Sequence, residues 1–246
     1  MSRMTAAELA KKIDHTILKP EALATDVQKT CAEALEHKFA SVCVAGAWIP
    51  HVAKALKGSG VLTCTVAGFP HGTSKSTVKA IEAVAAVKDG AEEVDVVIHL
   101  PHLLTLNLDA ARAELMEVVR GTRAARRETV VKVIVESAAL LSILGDDRGE
   151  QSIEVACKAV RESGADFIKT STGFHPAGGA SVKAVSLMKK YGQGLKVKAS
   201  GGIRDLATAR AMLDAGADRL GLSASVAIMK ESQGGGTSTA GPASGY

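Results

Sequence analysis

The sequence predicts a single (β/α)8 barrel. Short runs rich in Val and Ile alternate with longer stretches of Ala, Leu, Glu and Lys at helical spacing, the pattern of repeated βα units around a parallel sheet. Eight such units fit within about 230 residues, a typical size for a closed barrel. An open doubly wound sheet would want a glycine-rich dinucleotide turn after its first strand, and "IDHTILKPEA" has none. With 246 residues, 46% of them hydrophobic, the chain can bury a sizeable core.

The expected strands, in order, are Ile13 to Leu18, Ser41 to Ala45, Leu62 to Val66, Glu93 to Ile98, Val130 to Glu136, Asp166 to Ser171, Leu195 to Ser200 and Asp218 to Ser223. Each is a β-branched run of strand length. Helical spacing marks Asp26 to Lys38, Thr77 to Asp89, Leu108 to Arg126 and Leu206 to Ala215; Gly216 is a natural stop for the last of these. The segment "SILGDDRGE" is expected to be a long loop after the fifth strand. Residues 1–230 form the barrel domain, and residues 231–246, "ESQGGGTSTAGPASGY", lack the apolar content that offsets ordering entropy and are expected to be a flexible tail. Its last residue, Tyr246, is one of two tyrosines and on such a linker can reach a barrel mouth.

A formal net charge of +4 is small for this length and demands no nucleic-acid partner. In the densest basic run, "RGTRAARR", Arg120, Arg123 and Arg127 read as one solvated helix flank. No run approaches the ~20 apolar residues of a membrane span, and no signal-peptide pattern opens the sequence. Cys31, Cys43, Cys64 and Cys157 show no CxxC spacing and read as reduced, buried thiols of a cytoplasmic protein. The helix pattern leaves a homo-oligomer open.

In a barrel, working residues lie at the C-terminal ends of strands. That rule selects Asp95, Lys169 and Lys198. Adjacent strands stand about 4.8 Å apart, so the two lysines come within mutual reach. Burial and a second nearby cation both favour a neutral amine, as Schiff-base formation with a carbonyl substrate requires. Asp95 is the candidate proton shuttle. Asp14 and Lys132 are expected to support these groups, with Glu136 sharing the strand face of Lys132. Gly173, Gly201, Gly202, Gly221 and Ser223 follow or end strands six to eight, where barrels often hold a phosphate on backbone N–H groups. They suggest a phosphorylated sugar.

These motifs, "GADFIKTSTGF" and "VKASGGIRD" above all, with "IDHTILKPEA", "VAGFPHGTSKSTVKAIEA", "GAEEVDVVI" and "AGADRLGLS", resemble the deoxyribose-phosphate aldolase family of class I aldolases over nearly the whole chain except the tail. The resemblance implies a Schiff-base lysine at Lys169, a second lysine at Lys198 and an aspartate at Asp95. It further implies reversible cleavage of 2-deoxy-D-ribose 5-phosphate to D-glyceraldehyde 3-phosphate and acetaldehyde, without metal or organic cofactor. Some members end in a tyrosine that assists proton transfer, which draws Tyr246 into the site. The chain departs from the family pattern at Ala45 and Gly46, which replace the usual Asn-Pro, and after the last strand, where a serine pair is usual but Ser223 is followed by Ala224 and Ser225. His71, His99 and His175 stand near strand ends, with His102 close by; they are expected to line the pocket and tune substrate choice rather than bind zinc.

Overall fold

Eight strands pair in sequence order, every pair parallel, and β1 closes onto β8. The structure is a computed structural model and describes residues 4–234. The strands are β1 (Ile13–Ile17), β2 (Ser41–Val44), β3 (Leu62–Ala67), β4 (Glu93–Val97), β5 (Val130–Ile134), β6 (Phe167–Lys169), β7 (Lys196–Ser200) and β8 (Arg219–Leu222). Helices α1 (Ala6–Ala10) and α2 (Ala24–His37) flank β1, and α3 (Ile49–Leu56) and α4 (Ser76–Lys88) follow β2 and β3. After β4 come α5 (Leu100–Leu104) and α6 (Leu108–Ala125); α7 (Ser137–Ser163), α8 (Val182–Gly192), α9 (Leu206–Asp214) and α10 (Ser225–Ser232) follow β5 to β8 in turn. Several helices begin at the side chains that sequence logic favours there. Asn107, Ser181 and Asp205 each accept a hydrogen bond from a first-turn backbone N–H.

Strand alternation sorts the interior into two regions. Outward residues such as Val42, Val44, Val94, Val96, Val131, Val133, Ile168, Val197 and Leu220 pack under the helices as one hydrophobic cluster. Each such buried side chain contributes about 1.5–3 kcal/mol relative to exposure. Inward residues are mostly polar. Among the described residues, only a small group, Leu18, Cys43, Cys64 and Val66 with Phe69 against it, forms an apolar patch apart from the main core.

Three expectations about individual elements change. "SILGDDRGE" is not a loop: residues 137–163 are helical, interrupted only at Gly145 (φ 74°, ψ 175°), where the missing Cβ lets the chain kink and resume. The basic run is not one flank, because α6 ends at Ala125 and leaves Arg127 beyond the helix, while Arg123 Nη2 is drawn to Asp166 at 3.0 Å. Glu136 does not share a strand face with Lys132. β5 stops at Ile134, and Glu136 turns into the left-handed region (φ 51°), where its carboxylate accepts the Thr172 N–H at 2.7 Å. The last helix reaches Ser232, past the expected domain edge at residue 230. Most of the expected tail, including Tyr246, lies outside the described residues.

Candidate active site

Lys169 and Lys198 are register partners on β6 and β7, as are Asp95 and Lys132 on β4 and β5. All four point into the barrel. Asp95 is fully buried, its Oδ2 accepting Lys169 Nζ at 2.8 Å and Lys198 Nζ at 2.7 Å while Oδ1 accepts Lys132 Nζ at 2.8 Å. The two lysines thus meet through a single carboxylate oxygen.

The pairing continues beyond these groups. Lys198 also reaches Asp14 Oδ2 at 2.6 Å; Asp14 Oδ1 takes Arg219 at 2.5 Å and the Ser41 hydroxyl at 2.6 Å. Arg219 reaches Glu93 at 3.2 Å, and Glu93 returns to Lys132 at 2.6 Å. Asp95, Lys198, Asp14, Arg219, Glu93 and Lys132 therefore form a closed ring of three carboxylates and three cations. Lys169 hangs from Asp95 as a fourth cation outside this ring, whose own charges balance without it.

Burial alone would protonate Asp95, but the Lys132, Lys169 and Lys198 ammonium groups outweigh it and hold the carboxyl well below its usual range. Asp14 is lowered in the same way: burial is overcome by Lys198 and Arg219. Burial would likewise strip Lys198 and Lys132 of their protons, but Asp14 and Asp95 raise Lys198, and Asp95 and Glu93 help raise Lys132 well above the ordinary lysine value. Of the two lysines on Asp95 Oδ2, Lys198 is therefore the fixed cation. Lys169, 3% exposed, is the last residue of β6, whereas β7 runs two residues past Lys198.

Thr170 and Ser171, directly after Lys169, zip β6 to β7. Both hydroxyls bond to the Ser200 carbonyl, and the Ser200 hydroxyl donates to the Ser171 carbonyl at 2.6 Å. Gly201 (φ 87°) seals the joint, since a Cβ there would stand 3.0 Å from Gly179 Cα and 3.2 Å from Gly173 Cα. Gly202 (φ 78°) has open space beside it among the described residues. Gly173 follows β6, Gly221 is buried within β8, and Ser223 is exposed directly after β8. Ser225 does not join them. It is buried, with its hydroxyl 2.9 Å from His15 Nδ1, and His15 Nε2 lies 2.8 Å from Glu33. Burial lowers the pKa of His15, so the neutral ring fits, accepting from Ser225 and donating to Glu33.

The histidines divide. His71 and His175 line a cavity of about 420 Å³ with Glu136, Thr172 and Phe174. His99 instead packs edge-on against His102, and its backbone N–H is held by Glu114, whose carboxylate also takes the fully buried Lys79. Among the described residues, the one group of prospective metal ligands within mutual reach is Cys43, Cys64 and Asp95. With Asp95 already saturated by three ammonium groups, that set fits a cation poorly. Burial pushes the thiols of Cys31 and Cys157 up to about 11 and about 12, as expected of structural cysteines. Cys43 and Cys64 instead share the barrel interior with Asp95. Glu93 and Arg219 were missed in the sequence, although each lies one inward step below a residue already singled out, Asp95 and Gly221.

The closed parallel barrel, with lysines paired on a buried carboxylate beneath its C-terminal mouth, defines an enzyme of the amine-catalysing barrel class. The family profile described as DeoC/LacD family aldolase matches residues 8–234, and the chain belongs to that family of carbon–carbon lyases. Deoxyribose-phosphate aldolase of Mycobacterium avium is 50% identical over 226 residues, 92% of this chain and 97% of the relative. That of Mycobacterium tuberculosis (strain ATCC 25618 / H37Rv) is 47% identical over 230 residues, covering 93% and 98%. A solved tetrameric deoxyribose phosphate aldolase from Aeropyrum pernix superimposes with a TM-score of 0.82 at 32% identity, covering 93% of this chain and 92% of that one.

Proposed function

We propose that this chain is a class I aldolase that reversibly cleaves 2-deoxy-D-ribose 5-phosphate to D-glyceraldehyde 3-phosphate and acetaldehyde. The observation that carries the reading is the sharing of Asp95 Oδ2 by Lys169 and Lys198. Lys169, as neutral amine, adds to the C1 aldehyde of the open-chain sugar, and protonation of the carbinolamine hydroxyl with loss of water gives the iminium. A base takes the C3 hydroxyl proton, the C2–C3 bond breaks, and its electrons pass to the iminium nitrogen; glyceraldehyde 3-phosphate leaves and an enamine remains. Protonation at C2 and hydrolysis release acetaldehyde. The iminium is the electron sink, so no cofactor is required.

Lys198, kept cationic by Asp14 and Asp95, stands beside Lys169 on the same carboxylate oxygen. Asp95, 2.8 Å from Lys169, shuttles protons directly or through water. Tyr246 is the proposed proton donor to the enamine. Gly173, Gly201, Gly202, Gly221 and Ser223 are the proposed phosphate cradle. The four buried free thiols support a reducing, cytoplasmic setting. The test is reduction with borohydride in the presence of acetaldehyde: the adduct maps to Lys169, and a protein that turns over without any trapped adduct overturns the amine mechanism.

A second reading keeps the chemistry but relaxes the phosphate requirement. It is motivated by Ser225, whose hydroxyl is committed to His15 rather than to a ligand. Comparison of kcat/KM for phosphorylated and free deoxyribose decides between them; a strong phosphate preference rejects the second.

A further inference from the structure

The end of the barrel opposite the Lys169 mouth has its own opening. A cleft of about 860 Å³ lies under the N-terminal ends of β6, β7, β8 and β1, within the range of small-molecule sites. Four cations line it: Lys11 and Lys12 from the junction of α1 with β1, Lys196 at the start of β7 and Arg219 at the start of β8. Its two carboxylates are occupied elsewhere. Glu8 accepts the Thr5 N–H and hydroxyl, both at 2.8 Å, and Asp218 accepts the Val197 N–H at 2.9 Å. Lys11, Lys12 and Lys196 have no carboxylate within 4.0 Å among the described residues.

Phe167 is the apolar floor. It is 4% exposed and sits between two of the cations, with Lys196 Nζ 5.4 Å and Arg219 Cζ 5.8 Å from its ring centroid. An apolar wall beneath converging cations concentrates their field. The two carboxylate bonds of Arg219 leave the rest of its five N–H donors for a ligand.

We propose that this cleft is a second binding site, separate from the catalytic mouth, for a compact anion of two or more charges, the chemistry of a phosphate-bearing metabolite. Lys11, Lys12 and Lys196 supply the charge and Arg219 the oriented donors. The probe is inorganic pyrophosphate, titrated calorimetrically at constant ionic strength and then used as an inhibitor of cleavage. The wild-type protein binds in a saturable manner that survives saturating deoxyribose 5-phosphate. The combined Lys11→Gln, Lys12→Gln and Lys196→Gln variant binds at least tenfold more weakly while its KM for deoxyribose 5-phosphate stays within twofold. Single Lys12→Gln and Lys196→Gln variants, from opposite sides of the cleft, each weaken binding, which covers a misfolded triple variant. Binding unchanged in the variants, heats that follow ionic strength alone, or abolition of binding by substrate with purely competitive inhibition overturns the proposal.

Discussion

Among the three lysines of the buried charge set, the most exposed is also the one its balance does not need. Removing Lys169 leaves the six-membered ring intact, so Lys169→Ala is expected to fold with a near-native unfolding midpoint yet lose at least a thousandfold in kcat/KM, about 4 kcal/mol of transition-state stabilisation. Measuring turnover and thermal unfolding on the same preparation checks both halves. Asp14→Ala should do the reverse to stability, since it strands Lys198 and Arg219 without one partner each; a loss of about 3–5 kcal/mol is expected from denaturant unfolding. Tyr246→Phe should lower kcat by about a hundredfold with little change in KM, the usual scale for a proton-transfer group. Lys169, Lys198 and Asp95 were legible because strand alternation and strand-end position both single them out. The ring was not. Glu93 and Arg219 sit at strand starts, where the barrel rule assigns stability rather than chemistry, and no local pattern announces that Arg219 spans from β8 to both β1 and β4.

Between elements, His15 ties β1 to α2 through Glu33 and to α10 through Ser225. Its pKa is lowered by burial, so the neutral form belongs to the fold; stability is fully present above the unfolded value of about 6.5 and is lost as pH falls through the folded one. Urea midpoints should therefore decline from about pH 6.5 downwards, with a slope of at most about 1.4 kcal/mol per pH unit, and His15→Gln should flatten that decline. The glycine joint between the β6 and β7 loops gives a second expectation. A Cβ on Gly179 would be driven into the Gly201 carbonyl, so Gly179→Ala should shift the loop and raise KM for the phosphorylated sugar more than it lowers kcat. Most element boundaries were legible to within two residues, because strand runs and helix caps are local signals. The kinked α7 was not: "SILGDDRGE" carries the glycine and acidic composition of a loop, while the helix on either side of it packs Leu140, Ile153, Ala156, Cys157 and Val160 into the main core.

At the scale of the whole molecule, the charge ring links five strands, β1, β4, β5, β7 and β8, across the barrel axis. Asp14 and Asp95 have lowered pKa values and Lys132 and Lys198 raised ones, so the contribution of these four groups is complete between about pH 4 and pH 10. It is lost below that window as Asp14 and Asp95 take up protons, and above it as Lys132 and Lys198 release them. In the His15→Gln background, unfolding midpoints across this window should form a plateau; a steady slope would show that the ring does not hold its charges. Closure has one more consequence. β1 pairs with β8 and α1 packs on α10, so the two ends of the described chain are neighbours in space. The barrel is in that sense indifferent to where its polypeptide is cut. A circular permutant opened at the exposed Gly58–Gly60 turn, with residues 4 and 234 joined through a linker, would keep every strand neighbour.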